Sequence, residues 1–500
     1  MFNKRKSGVL VHPTSFPSPY GIGDLGAGAY EFIDFLKSAN QKLWQVLPLG
    51  PTGYGDSPYQ SFSSFAGNHY LISPDILLKQ GWLSPSDVAG ADFDPRRVDY
   101  GPVIEYKTGL LRKAYSSFKA NAAAPDKSRL TKFCKRNKDW LDDYALFMAL
   151  KDHHGGAPWT DWPKELAMGE PKALAEIKTQ LSDEIEFTKF LQYEFFRQWG
   201  KLRAYANKAG IKIIGDIPIF VSMDSADIWA KAELFALDKH GNPTGVAGVP
   251  PDYFSETGQL WGNPLYKWDA HKKTGFEWWC RRVEANLELV DEIRIDHFRG
   301  FESYWAVPYG AETAIKGKWK KGPGKALFAA LEKKLGQLPV IAEDLGIITP
   351  AVDQLRTGLK LPGMKVLHFA FDPAEESVYL PHMYEDSRTV VYTGTHDNDT
   401  TIGWYAGAKD VEKDYLRRYL NISGDDVAWD MIRLAFSTIS VYAIVPVQDV
   451  MKLGTKDRMN RPGTTDGCWQ FRYTGDMLRD EYAARLKYLS ELFHRNTEGT

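Results

Sequence analysis

Short apolar runs alternate with amphipathic helical stretches along most of the 500 residues. Several of these runs are apolar throughout, which is typical of parallel strands that are covered on both faces. Eight runs are predicted strands: Val9–His12, Leu43–Pro48, Lys212–Asp216, Glu292–His297, Val340–Glu343, Met364–Phe369, Val390–Thr395 and Val445–Val450. Eight such strands with intervening helices predict an α/β protein with a (β/α)8 barrel of the TIM type. A doubly wound open sheet fits less well, because no glycine-rich dinucleotide fingerprint lies near the first strand.

One helical stretch shows the pattern clearly. Its apolar side chains recur every three or four residues and share one face: Leu191, Phe195, Trp199, Leu202 and Ala206. Gly210 follows, where a glycine can end the helix, and the apolar run IKIIGD then begins a strand.

Two connections are too long for an ordinary loop between a strand and a helix. Residues 50–182 contain helical patterns such as LDDYALFMALKDHH and are predicted to form an inserted, mainly helical subdomain. Residues 220–272 include a stretch rich in Gly, Pro and aromatic residues, and are predicted to form an inserted lid or loop subdomain. We therefore expect a single barrel over residues 1–500, with both insertions around its C-terminal face and a closing helix within 473–496.

Charge and cysteine usage limit the possible partners and compartments. The net charge of −2 predicts no binding to nucleic acid or to an acidic membrane surface. Cys134, Cys280 and Cys468 are far apart and lack metal-ligand spacing, so we interpret them as buried thiols in a reducing compartment. The apolar run Val9–Val11 is too short for a signal peptide, and no segment approaches the length of a membrane span. These features predict a cytoplasmic protein.

Four acidic residues stand at or just after predicted strand ends: Asp216, Asp296, Glu343 and Asp397. Each alone is best interpreted as a turn or helix-cap residue. Together they favour a site, because the C-terminal strand ends of a barrel meet at one rim. Four like charges repel one another, so the rim needs a cation or protonation, and Arg294 in the segment RIDHFRG can supply the positive charge.

Paired carboxylates without a metal are typical of retaining glycoside cleavage, in which one acid protonates the leaving oxygen and a second carboxylate attacks the anomeric carbon. The aromatic content of 13% is compatible with stacking on sugar rings, although composition alone favours a large core with aromatic-rich loops. His297 and His396 could instead join the acids in a metal site, but no HExxH or similar ligand spacing is present. The phosphate-binding pattern GxxxxGK[ST] is absent as well.

Seven specific motifs carry a resemblance to a known family: GPTGYGDSPYQSFSSFAGN at 50–68, GDIPIFV at 215–221, GVPPDYFSETGQLWGNPLY at 248–266, RIDHFRG at 294–300, IAEDLG at 341–346, LPGMKVLHFAFD at 361–372 and THDNDT at 395–400. Over essentially its whole length the sequence resembles the amylomaltases, which are 4-α-glucanotransferases (also called disproportionating enzymes) of glycoside hydrolase family 77.

The resemblance implies roles for the acids. Asp296 resembles the nucleophile that forms a covalent glycosyl intermediate, and Glu343 resembles the general acid/base. Asp397 resembles the third carboxylate, which holds sugar hydroxyls and stabilises positive charge. Arg294 is expected to bond the nucleophile and keep it ionised. We expect the pKa of Glu343 to be raised, since it must be protonated when it acts on the leaving group.

The resemblance also implies a substrate-binding set. His396, Asp216 and Tyr59 would contact the sugar at the cleavage subsite, and Ser57 belongs to the same set. Further positions come from the predicted lid and the N-terminal motif: Tyr253 and Phe254 over the glucan, Trp261 on the acceptor side, and Tyr54, which matches a tyrosine linked in some members to a second glucan site.

One stretch near the C-terminus departs from the family pattern. The family usually carries an Asn-Trp-x-Trp-Arg pattern here, whereas this chain has Cys468 before Trp469 and Phe471 in the second aromatic position. Arg472 matches the pattern. The departure concerns the details of this loop and not the catalytic acids.

Three hypotheses for the function follow. The first is a hexosyltransferase that moves α-1,4-glucan segments between maltooligosaccharides by a retaining double displacement and can form cyclic glucans. The second is an α-amylase-like hydrolase that uses the same acids. The third is a catalytically silent glucan-binding protein, which would not need all of the acids. None of the three requires a cofactor or a metal ion.

Overall fold

The computed structural model describes residues 2, 4–251, 255–374, 376–464 and 466–496. Within them lie twelve strands: β1 (Lys6–Leu10), β2 (Leu43–Gln45), β3 (Lys212–Pro218), β4 (Val246–Val249), β5 (Gln259–Pro264), β6 (Glu292–Asp296), β7 (Ser303–Val307), β8 (Lys318–Lys321), β9 (Val340–Ala342), β10 (Gly363–Val366), β11 (Thr389–Tyr392) and β12 (Tyr442–Pro446).

The same residues form eighteen α-helices: α1 (Ala27–Ser38), α2 (Pro74–Lys79), α3 (Tyr100–Asn121), α4 (Ala124–Arg136), α5 (Lys138–His153), α6 (Lys164–Ala167), α7 (Pro171–Gln180), α8 (Ser182–Lys208), α9 (Ala226–Ala230), α10 (Trp268–Lys273), α11 (Glu277–Leu289), α12 (Lys325–Leu335), α13 (Pro350–Gly358), α14 (Thr401–Gly407), α15 (Asp410–Leu420), α16 (Val427–Ser437), α17 (Val447–Val450) and α18 (Asp480–Leu492).

Eight of the strands form a parallel sheet in the order β10-β11-β12-β1-β2-β3-β6-β9. The two end strands approach each other, since the Ala342 N–H donates to the Pro362 carbonyl (2.9 Å) and the Met364 N–H donates to Asp344 Oδ1 (2.7 Å). The sheet is therefore a nearly closed (β/α)8 barrel, and the predicted fold class is confirmed.

The barrel interior is largely apolar, and two of its tyrosine hydroxyls are hydrogen-bonded to polar side chains. Aliphatic and aromatic side chains from its strands form one buried cluster: Leu10, Leu43, Ile214, Ile341, Met364, Val366, Val390, Tyr392, Val441, Tyr442 and Ile444. The Tyr392 hydroxyl donates to Gln45 Oε1 (2.8 Å), and the Tyr442 hydroxyl donates to Glu292 Oε1 (3.0 Å). These bonds compensate for the desolvation of the phenols.

Helix α8 packs against the barrel through the predicted face, where the Trp199 ring lies 5.8 Å from that of Trp44. The helix ends at Lys208, and Gly210 adopts a left-handed φ of 77° before β3 begins. The long connection from β2 to β3 carries α2 to α8. The connection from β3 to β6 carries α9 to α11 together with β4 and β5.

Several predicted strands extend beyond the observed ones, and the last also begins too late, at Val445 instead of Tyr442. Val447–Val450 form α17 instead of the end of the eighth barrel strand, and Leu367–Phe369 form a 3-10 turn after β10. Each of these segments mixes apolar and polar residues (VQDV and LHF), and hydrophobicity alone does not mark where the sheet hydrogen bonds stop.

A second sheet of four antiparallel strands, ordered β5-β4-β7-β8, lies beside the barrel. Cys280 and Cys468 are buried free thiols as predicted, whereas Cys134 is only half-buried. No described helix is long and apolar enough to cross a membrane.

Candidate active site

Strand register brings four of the predicted site residues to one rim. The β3–β6 ladder pairs Asp216 with Arg294, and the β6–β9 ladder pairs Ile295 with Ala342. Asp296 comes directly after Ile295 in β6, and Glu343 comes directly after Ala342, the last residue of β9. The Glu343 N–H donates to the Ile295 carbonyl (3.0 Å). The two acids therefore extend from corresponding positions on neighbouring strands.

Arg294 joins two of the carboxylates. Its Nη1 donates to Asp216 Oδ2 (2.6 Å), and its Nη2 donates to Asp296 Oδ1 (2.8 Å). The guanidinium is buried, and burial alone would lower its pKa. The charges of Asp216 and Asp296 outweigh burial, so the pKa of Arg294 lies well above its usual value and the group stays charged.

Asp216 is buried behind this pair. Its Oδ2 also accepts a hydrogen bond from the Tyr59 hydroxyl (2.9 Å), while its buried Oδ1 has no protein partner. Burial raises the pKa of Asp216 to about 7, although Arg294 opposes the rise. The charge of Arg294 and its hydrogen bond favour the ionised carboxylate, so the two groups form a buried ion pair.

Glu343 is held by backbone amides on both oxygens. The His297 N–H donates to Oε2 (2.7 Å), and the Leu345 N–H donates to Oε1 (2.8 Å). Burial, together with the charge of Asp296, raises the pKa of Glu343 to about 7, against the opposing effects of Arg294 and the two amides. The two acids thus have different surroundings. Asp296 is paired with the Arg294 guanidinium, whereas Glu343 is partly desolvated and is held by backbone amides.

His297 adopts a left-handed conformation with φ of 52°, which is uncommon for a residue other than glycine. This turn follows the end of β6 and directs the His297 N–H to Glu343. The imidazole meets the Trp261 ring edge to face, with centroids 4.7 Å apart. Trp261, predicted on the acceptor side, therefore packs on the residue that holds Glu343.

Asp397 follows β11, and residues more than sixty positions later hold it. Asn460 Nδ2 donates to Asp397 Oδ1 (2.7 Å), and Arg458 Nη2 donates to its backbone carbonyl (2.9 Å). His396 Nε2 lies 3.3 Å from the same Oδ1. Burial lowers the pKa of His396, so the imidazole is neutral at physiological pH despite the neighbouring carboxylate.

Tyr59 connects the two sides of the rim. Its hydroxyl bonds Asp216, and its ring stacks on His396 with centroids 5.1 Å apart and 12° between the planes. Trp469 packs on both rings, at 5.8 Å from Tyr59 and 6.1 Å from His396. The stretch that departs from the family pattern therefore lines the same cluster.

The remaining predicted binding residues lie in different settings. Ser57 accepts a hydrogen bond at Oγ from the Tyr59 N–H (3.2 Å), so it orders that loop. Tyr54 is 79% exposed on a 3-10 turn. Tyr253 and Phe254 fall outside the described residues. Among the residues that the structure describes, no group of three or more His, Cys, Asp or Glu side chains is arranged to hold a metal ion.

Sequence reasoning missed Asn460, Arg458 and the packing of Trp469. All three residues lie in the segment RMNRPGTTDGCWQFRY, whose only predicted feature is a departure from the family pattern. The sequence of this loop does not indicate that its Asn and Arg side chains bind Asp397.

Comparisons with known proteins identify the family of this chain. The family model described as 4-alpha-glucanotransferase, of glycoside hydrolase family 77, matches residues 11–478. The chain is 50% identical to the 4-alpha-glucanotransferase of Synechocystis sp. (99% of each chain covered) and 51% identical to that of Thermus thermophilus (98% of this chain and 99% of the relative).

The structure superimposes on that of an amylomaltase from Streptococcus agalactiae in complex with acarbose, with a TM-score of 0.96 and 41% identity. The match covers 99% of this chain and 100% of that one. The chain therefore belongs to the 4-alpha-glucanotransferase family, glycoside hydrolase family 77, and is an enzyme with that activity.

Proposed function

We propose that this enzyme moves α-1,4-glucan segments from a donor maltooligosaccharide to the 4-hydroxyl of an acceptor glucose or glucan by a retaining double displacement. The observation that carries the mechanism is the unequal pair at the ends of β6 and β9. The Arg294 guanidinium forms an ion pair with the Asp296 carboxylate, whereas burial raises the pKa of Glu343 to about 7. A charged carboxylate beside a protonatable one is the pair that retaining glycoside cleavage requires.

In the first half-reaction, an Asp296 oxygen attacks the anomeric carbon while Glu343 gives its proton to the leaving oxygen. The products are a covalent glycosyl–Asp296 ester and a shortened chain with a free 4-hydroxyl. In the second half-reaction, the ionised Glu343 removes the proton from an acceptor 4-hydroxyl, whose oxygen displaces Asp296. Two inversions restore the α configuration.

Asp397 and His396 are proposed to hold hydroxyls of the sugar that develops positive charge. Asn460 and Arg458 fix Asp397, so its carboxylate needs little reorganisation when that charge appears. Asp216 and Tyr59 support Arg294 and His396 in the same subsite. The amylomaltase from Streptococcus agalactiae was solved in complex with acarbose, which supports a carbohydrate ligand for this chain.

Transfer and hydrolysis diverge at the covalent intermediate, where either a sugar hydroxyl or water attacks. Transfer prevails when the acceptor binds well and water is excluded. Trp261, which packs on His297 beside the acid/base, supports an acceptor site at this position. An acceptor 4-hydroxyl at the far end of the bound chain would give a cyclic glucan.

Incubation with maltotriose tests the proposal. A ladder of longer and shorter chains supports transfer, whereas growth of reducing ends without longer products indicates an α-amylase-type hydrolase. No change at all would indicate a binding protein.

The variant Asp296→Ala should lower the rate by about 10⁴-fold while the thermal unfolding curve and glucan binding are retained. Asp386→Ala is the control, since this carboxylate is exposed and pairs only with Arg388 among the described residues. Near-normal turnover by Asp296→Ala would remove this residue as the nucleophile.

A further inference from the structure

The four-stranded sheet presents one exposed, rigidly supported aromatic ring. Trp319 lies on the edge strand β8 and is 42% exposed. The Arg299 guanidinium covers one side of the ring, at 4.0 Å from its centroid. Trp305, its cross-strand partner on β7, meets the ring at 5.2 Å and 64°. The cation–π contact and the pairing fix the orientation of this partly exposed indole.

A chain of contacts connects this ring to the catalytic acid/base. Arg299 Nη1 donates to the carbonyl of Ile347. Ile347 lies two residues beyond Leu345, whose N–H holds Glu343. Arg299 also lies two residues beyond His297, whose N–H holds the other Glu343 oxygen. Arg299 therefore connects Trp319 to both backbone segments that position Glu343.

We propose that Trp319 is a distal platform that stacks on a glucose ring of a long α-1,4-glucan chain on the leaving and acceptor side. The inference rests on the proposed function, because it presumes that glucan passes Glu343. An exposed indole face suits the apolar face of a pyranose. Lys321, which lies two residues along β8 and pairs with Glu302, is a hydrogen-bond donor available to sugar hydroxyls.

A protein partner fits this surface less well. β8 carries three lysines in its four residues, Lys318, Lys320 and Lys321, and all are exposed. Lysines on an edge strand oppose the addition of another strand. One exposed ring is also far smaller than the roughly 800 Å² per partner of a stable interface. A single glucose ring, by contrast, matches the size of an indole.

The test compares one long and one short substrate in the full-length enzyme. In Trp319→Ala, the ratio of kcat/KM for amylose to kcat/KM for maltotriose should fall about fivefold relative to wild type, because only a long chain reaches the platform. Trp319→Phe should retain most of the ratio, since it keeps an aromatic face. Tyr488→Ala is the control, because Tyr488 is an exposed aromatic residue on α18, outside this sheet, and its loss should leave the ratio unchanged.

An unchanged ratio in Trp319→Ala would overturn the platform. An equal loss with both substrates would overturn it as well, since the ring would then only support the loop that holds Glu343. Loss of a dimer on size-exclusion chromatography with an unchanged ratio would assign the surface to self-association instead. Failure of the wild-type enzyme to form a ladder from maltotriose would refute the proposed function itself, so the two failures are distinguishable.

Discussion

Replacing Glu343 by Gln should change how the stability of this enzyme depends on pH. The folded-state pKa of Glu343 is raised from 4.5 to about 7, with burial as the largest cause. The folded state therefore favours the protonated form of Glu343. The stability that this preference contributes is fully present below pH 4.5 and is lost as the pH rises through about 7. At about 1.4 kcal/mol per pH unit, the ionisation of Glu343 costs about 3 kcal/mol of folding free energy above this range. A Gln side chain never ionises, so the variant avoids this loss.

The substitution also has a cost that does not depend on pH. Both Glu343 oxygens accept backbone N–H groups, from His297 and from Leu345. Gln offers one oxygen and one donating amide, so one of these N–H groups loses its acceptor at a cost of about 1–3 kcal/mol. The variant should therefore be less stable than wild type at about pH 4 and should gain about 3 kcal/mol relative to wild type by about pH 8.

Urea unfolding followed by tryptophan fluorescence at a series of pH values measures this difference. Glu332→Gln on α12 is the control, because an exposed side chain should change the unfolding free energy by less than about 0.5 kcal/mol at every pH. In parallel, kcat/KM of the wild type should fall about tenfold per pH unit above about pH 7, where the acid form of Glu343 disappears. A stability difference that is flat with pH, or that grows in the opposite direction, would refute the burial argument.

Two further substitutions test how the acids are held. Arg294→Lys replaces a fork that reaches Asp216 and Asp296 with a single ammonium group, so kcat should fall about 100-fold and the melting temperature should drop; wild-type kcat in this variant would contradict the bridging role. Asn460→Ala removes the 2.7 Å hydrogen bond to Asp397, and kcat/KM for maltotriose should fall about tenfold with little change in melting temperature. A loss of stability without a loss of rate would show that Asn460 is structural only.

Local patterns were sufficient for much of the fold. The period of apolar residues separates strands from helices, as the face of α8 illustrates, and parallel strands in a barrel bring their carboxyl ends to one rim. From this rule alone, Asp216, Asp296 and Glu343 were expected to lie together, and the register of β3, β6 and β9 brings them there. Both bounds of β12 were wrong, because the predicted strand begins three residues late, at Val445, and extends into α17, where Val447 and Val450 flank two polar residues.

The sequence by itself therefore determined the barrel and the acids at its strand ends, since both follow from short-range periodicity and chain order. Only the tertiary structure decided which groups hold those acids. Asn460 reaches Asp397, Tyr59 stacks on His396, and the left-handed turn at His297 directs an N–H to Glu343. These contacts join residues that are far apart in the chain or depend on one backbone angle, and no local pattern encodes the barrel closure that brings them within hydrogen-bond distance.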